Sequence, residues 1–337
     1  MDPLSQGTVG AAFAQSIANK NNIFKIGFIG FLAGMTPDLD VLIQSSTDPI
    51  LSLEYHRQFT HSLFFIPFGS LIFAILIFPL FKSSLSLKTV YFASFLGYAT
   101  HGLLDACTSY GTQLFWPFSN ERISWNNISI VDPLFTIPIL IFLVIAIKTQ
   151  KKTFSFFGIG WIIFYLTLGY VQYERALSAA IELATMRGHN AERLTLKPSF
   201  GNLILWKSIY QYKETFYVDA IRTVQSSTWC SGETIGVFDY KYHLPDLDKE
   251  SQQKKDIERF RWFSQDYLGY YKEKNVVADV RYSMIPNQIV PMWGLTIDEQ
   301  RGINDHATWW TSRNLDQSQR DLFINMLKGK KSICKSF

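Results

Sequence analysis

His101 and Asp105 stand four residues apart in "GYATHGLLDACTSYG". Groups at i and i+4 share one face of a helix, and an imidazole with a carboxylate so placed can hold a divalent ion, zinc first among them. A plain hydrogen bond inside a helix bundle is the competing role. Two more clusters tip the balance. "TPDLD" supplies Asp38 and Asp40, and "HRQFTHS" supplies His56, Arg57 and His61. Thr36 and Pro37 also read as a helix start, with the aspartates in a first turn favoured by the helix dipole. His56 and His61 are five apart and so belong to different local structure, His61 in a first turn that Thr60 caps. Asp38, Asp40, His56, His61, His101 and Asp105 together form a nitrogen and oxygen donor set without thiolate, the style of a catalytic rather than a structural metal site. Around it, Arg57 offers a planar fork for phosphate or carboxylate. Thr108, Tyr110 and Gln113 lie on a glycine-containing loop, and Asp132 is either a further substrate group or a cap before Pro133.

The elements that must position these groups are apolar. Of 337 residues, 47% are hydrophobic, and before about residue 173 they fall in long runs with few charges. The runs lie near 62–81, 89–106, 133–147 and 154–173, with a weaker one at 24–43 broken by Gly34, Pro37 and two aspartates. A spanning helix needs about 20 mostly apolar residues, so the sequence predicts about five membrane segments. Ionisable groups near their ends are expensive and usually functional. Lys20 and Lys25, Lys82 and Lys88, and Lys148, Lys151 and Lys152 mark the cytoplasmic loops. The three polar clusters then share the outer face, and everything after about 174 lies outside.

The rest of the chain reads as soluble structure. Residues 174–189 form a juxtamembrane amphipathic helix with Ala176, Leu177, Ala180, Ile181 and Ala184 on one stripe. Residues 190–337 form a small α+β domain, with strands at "ETFYVDAIRTV" and "NVVADVRYSM" and a helix across "KKDIERFRWFSQDYLGYY". Trp293, Trp309 and Trp310 are either core or lipid-headgroup contacts. The net charge of +4 is too mild to suggest nucleic acid. Three cysteines predict no disulfide framework, and the N-terminus lacks the basic start of a cleaved signal peptide.

The segments "AGMTPDLDVLI", "YHRQFTHSL", "HGLLDACTSYGTQLFWPFS" and "IVDPLF" resemble the bacterial membrane-bound metal-dependent hydrolases of the YdjM-like family. The resemblance covers residues 1–173 and implies a multi-pass inner-membrane protein whose metal ligands are the six residues above. Gln6 stands where many members carry a histidine. The resulting expectation is a mainly α, polytopic protein with an extracytoplasmic domain, acting as a hydrolase on a lipid or phosphate ester at the outer interface of the bilayer. Asp40 would be the general base or a bridging ligand, and Arg57 would steady developing negative charge. An ion- or proton-coupled transporter using the same His/Asp cluster is the alternative, although the polar groups gather at one face instead of lining a path across.

Overall fold

A computed structural model describes all residues, 1–337, as two compact units: residues 1–43, 55–171 and 200–202, and residues 44–54, 172–199 and 203–337. The first is helical. It comprises α1 (Pro3–Gln15), α2 (Ile23–Met35), α4 (Ile66–Phe81), α5 (Leu87–Cys107), α6 (Pro133–Thr149) and most of α7 (Thr153–Met186). A short helix α3 (Leu51–Tyr55) falls mainly in the second unit. Helices α1, α2 and α5 cross at backbone contact. A Cβ on Gly30 would lie 2.6 Å from Gly10 O, and one on Gly97 would lie 2.4 Å from Gly30 O. Small residues at such a seam let helices approach where lipid tails give no hydrophobic drive for association.

Two helices are long and apolar enough to cross a membrane: Leu63–Phe81, which includes α4, and Thr153–Met186. Five segments are not supported. The run at 24–43 is divided between α2, of 13 residues, and a 3-10 helix, Thr36–Leu42. The run at 133–147 gives α6, whose 17 residues fall short of the ~20 a span needs. The run at 89–106 lies in α5, which packs against α1, α2 and α4 and buries His101 and Asp105. An apolar run marks burial as readily as lipid contact.

The second unit is sheet-rich. Its larger sheet runs in the order β1 (Arg193–Pro198), β2 (Leu205–Tyr212), β3 (Thr215–Thr223), β4 (Ser227–Cys230) and β10 (Cys334–Ser336), with β5 (Thr234–Gly236) on β3. All its pairings are antiparallel. A four-stranded sheet holds β6 (Leu268–Tyr271), β7 (Val276–Asp279), β8 (Trp293–Thr296) and β9 (Thr308–Thr311). Helices α8 (Tyr240–His243), α9 (Gln252–Phe263) and α10 (Gln317–Lys328) complete it. Ala176, Ala180 and Leu183 of α7 pack on Leu196, Trp206 and Ile221.

Several expectations change here. Cys230 and Cys334 form a disulfide between β4 and β10; the antiparallel register sets them opposite each other, a proximity that 104 residues of separation conceal. The helix expected across 254–271 ends at Phe263, and Leu268–Tyr271 is a strand paired with β7. Strand β7 is buried on both faces instead of alternating, because Asp279 is neutralised by buried Arg281 at 2.7 Å. Ile181 is exposed despite its place on the expected stripe, and Trp293 is core.

Candidate metal centre

Three backbone features bring the site together in the first unit. The last turns of α5 place His101 and Asp105 on one buried face. The 3-10 helix after α2 supplies Asp38 and Asp40. A second 3-10 turn, Phe59–His61, supplies His61 and packs directly on α5. That approach requires Gly102, since a Cβ there would lie 2.1 Å from His61 O. Sequence reading passed over Gly102; its only signal was its place directly after His101.

The four central donors are His61 Nε2, His101 Nε2, Asp38 Oδ1 and Asp105 Oδ2. The two imidazole nitrogens are 2.9 Å apart. Asp38 lies 3.4 and 3.3 Å from them, and Asp105 lies 3.3 and 3.8 Å from them. A tetrahedral ion with bonds of about 2.0–2.2 Å has ligand–ligand edges of about 3.3–3.6 Å; three of these spacings match and those of 2.9 and 3.8 Å fall to either side, so the four donors surround a point where one ion fits. The tautomers agree. His101 Nδ1 donates to Gly34 O at 2.6 Å, which leaves Nε2 with a lone pair. His61 Nδ1 faces Thr60 Oγ1 at 2.9 Å and Asp40 Oδ2 at 3.2 Å, which keeps a proton on Nδ1 and makes Nε2 the nitrogen that would bind an ion in place of its own proton. At 2.9 Å the two Nε2 atoms share either the His61 proton or a metal ion that replaces it. Asp105 Oδ2 is buried, with Arg57 Nε at 3.0 Å and His61 Nε2 at 3.3 Å.

Hydrogen bonds from surrounding groups hold these ligands, as metal sites require. Asp40 accepts from Thr60 Oγ1 at 2.6 Å and from Arg57 N at 3.1 Å, and pairs with His56 Nδ1 at 2.7 Å. Asp40, His56 and His61 form a second group with donor atoms within metal-ligating reach. Asp105 Oδ1 accepts from Gln6 Nε2 at 2.9 Å and from the Met1 amino group. Burial alone would lower the pKa of His61, but hydrogen bonds to Asp105, Asp38 and Asp40 outweigh it and push it up to about 10. The carboxylates therefore demand a cation, whether proton or metal.

The expected substrate groups divide. Arg57 is buried, with φ 66°, uncommon for a residue with a side chain. Its Nε lies 3.0 Å from Asp105 Oδ2, its Nη1 donates to Thr108 Oγ1 at 3.1 Å, and its guanidinium lies over the Tyr110 ring. Thr108 and Tyr110 thus reach the site through Arg57. Gln113 is buried and bonds Arg57 O through its backbone N–H. Asp132 is not part of the convergence: its carboxylate caps α6 and accepts from Tyr165 Oη at 2.9 Å.

A model of the "YdjM inner membrane protein" family matches residues 1–176. "Uncharacterized protein YfhP" of Bacillus subtilis (strain 168) is 29% identical over 106 residues, 31% of this chain and 32% of that protein. The chain thus matches about a third of that relative's length. No solved structure matches.

Proposed function

Since the chain belongs to the YdjM inner membrane protein family, we propose that its helical unit is a membrane-embedded metal-dependent hydrolase. The observation that carries this reading is the four-donor cluster of His61, His101, Asp38 and Asp105, with both imidazole Nε2 atoms turned to one point. A divalent ion held there, zinc in the first instance, supplies Lewis acidity and a water acidified towards neutrality. The protein's own groups do the rest. Asp38 and His56 are the open members, with side chains 22% and 31% exposed, while His61, Asp40 and Asp105 are closed. Substrate therefore meets the site past Asp38 and His56. Asp40, bonded to both His56 and His61, is placed to take up a proton through either ring. Arg57 acts through Asp105, holding its carboxylate and balancing its charge, instead of gripping substrate as an open fork.

The substrate we assign is a lipid or lipid-linked phosphate ester. Leu39 and Leu42, on the same 3-10 helix as Asp38, are exposed at 59% and 75%, an apolar lip beside the opening. We place Lys82, Lys88 and Lys148–Lys152 on the cytoplasmic side and the sheet-rich unit outside. The Cys230–Cys334 disulfide supports that side, because such bonds persist in oxidising compartments.

The test is hydrolysis by the protein in lipid nanodiscs, with phosphatidic acid and p-nitrophenyl phosphate as substrates. Turnover should vanish on chelation and return with zinc or manganese. Turnover indifferent to chelator sinks the metal reading. Absence of any hydrolysis, together with cation uptake into proteoliposomes that needs His61, makes the chain a transporter instead.

A further inference from the structure

The second unit carries a cleft that the metal centre does not use. We propose that it binds a neutral, polyhydroxylated ligand, a saccharide. Its volume is about 610 Å³, within the ~300–1,000 Å³ of small-molecule sites. One stretch of its wall is Ser45, Ser46, Thr47 and Pro49, and another is residues 304–309. Within the second stands His306, whose Nδ1 lies 2.9 and 3.1 Å from the two oxygens of Asp256. Asp256 is wholly buried and also accepts from Ala307 N at 3.0 Å. A buried carboxylate so placed fixes Nδ1 as the donor and leaves Nε2 as an acceptor.

The chemistry of the wall selects the ligand by elimination. Asp48, Asp256 and His306 have metal-ligating spacing, but the Arg259 guanidinium occupies the cluster, 2.9 and 3.0 Å from Asp48 and 3.3 Å from Asp256. A divalent ion would have to displace that cation. An anion finds no net positive charge, because the one cationic side chain on the wall is offset by Asp305 on the same wall and by Asp298 at 3.7 Å. Arg301, the one guanidinium on the wall, already donates to Thr308 Oγ1 at 3.0 Å and His306 O at 3.3 Å, and Asp305 adds negative charge beside it. A wholly apolar ligand would take the Ser46 hydroxyl and the Asn304 amide, and the mutually bonded Ser45 and Thr47 hydroxyls, out of water without offering them a partner. What remains is a ligand that both donates and accepts and has one apolar face. Trp309 offers the matching indole, half-buried and held edge-on by Phe260 at 6.0 Å. Sugar rings present hydroxyls around their edge and C–H groups on their faces.

The experiment uses the full chain in nanodiscs, free of sugar-headed detergent, titrated with glucose, N-acetylglucosamine, cellobiose and chitobiose. Binding is read by calorimetry and tryptophan fluorescence. At least one saccharide should saturate. His306→Ala and Asn304→Ala should weaken it about tenfold, with circular dichroism unchanged. Trp309→Phe, which keeps a flat ring, should retain most of the affinity that Trp309→Ala loses. No saturation by any of the four at tens of millimolar overturns the proposal. So does binding that all these variants leave intact, or saturation by inorganic phosphate or zinc that His306→Ala abolishes.

Discussion

His101→Ala tests the metal centre most sharply when read beside two milder changes. It removes one of four donors and leaves His61 Nε2, Asp38 Oδ1 and Asp105 Oδ2 to hold the ion. Loss of a supporting partner outside the ligand shell typically costs about 10–100-fold in metal affinity. A direct ligand should cost more than ~100-fold, or ~2.7 kcal/mol at 1.36 kcal/mol per decade. Gln6→Leu removes the 2.9 Å hydrogen bond to Asp105 Oδ1 and a longer one, 3.3 Å, to His101 O, but no ligand atom, and should fall near the lower figure, about tenfold. Asp132→Asn removes a carboxylate that caps α6, and since asparagine also caps helices it should leave metal affinity unchanged. The assay is competitive zinc titration against a fluorescent chelator, with metal content measured by mass spectrometry after dialysis. The expected order of loss is His101→Ala, then Gln6→Leu, then Asp132→Asn. If His101→Ala holds zinc as tightly as the parent, the four-donor shell is only a hydrogen-bonded cluster. If Asp132→Asn loses as much as His101→Ala, the ligand assignment is wrong.

Other consequences are open to measurement. Gly30→Leu forces a side chain against Gly10 O and Ala14 Cβ, so it should destabilise the helical unit by at least the ~1–3 kcal/mol of overpacking, read as a lower melting temperature in nanodiscs; an unchanged melt refutes the seam. With the sheet-rich unit outside, Cys230 and Cys334 should resist maleimide labelling in extracts until reductant is added, whereas both thiols reacting at once would place that unit in the cytoplasm. Burial pushes the Lys207 ammonium from its ordinary 10.5 down to about 7, so between these values the unfolded chain binds a proton that the folded chain does not. Stability should then rise with pH from about 7 to about 10, and a Lys207→Met variant should show less of that rise; an identical pH dependence in the two proteins contradicts it.

The six metal-ligand candidates were legible from residue type alone, because histidine and aspartate beside apolar runs are too costly to place idly. The i, i+4 spacing of His101 and Asp105 needed only helical periodicity. Periodicity is local, however, and the closure of the site is not. Gly102 is required because the Phe59–His61 turn arrives against α5, and no pattern around residue 102 announces that arrival. Arg57 looked like an open anion fork until its neighbours proved to be Asp105, Thr108 and Tyr110. Hydropathy marked the apolar runs but could not tell lipid from protein as the thing each run faces, so α5 read as a span although it packs against three other helices. In the sheet-rich unit, strand β3 followed from its β-prone residues, but the β4–β10 pairing that joins Cys230 to Cys334 did not. Composition and spacing decide which groups are present and what each can do. Contacts between residues distant in the chain decide which groups meet, because only burial against those partners gives back the entropy lost in holding them together.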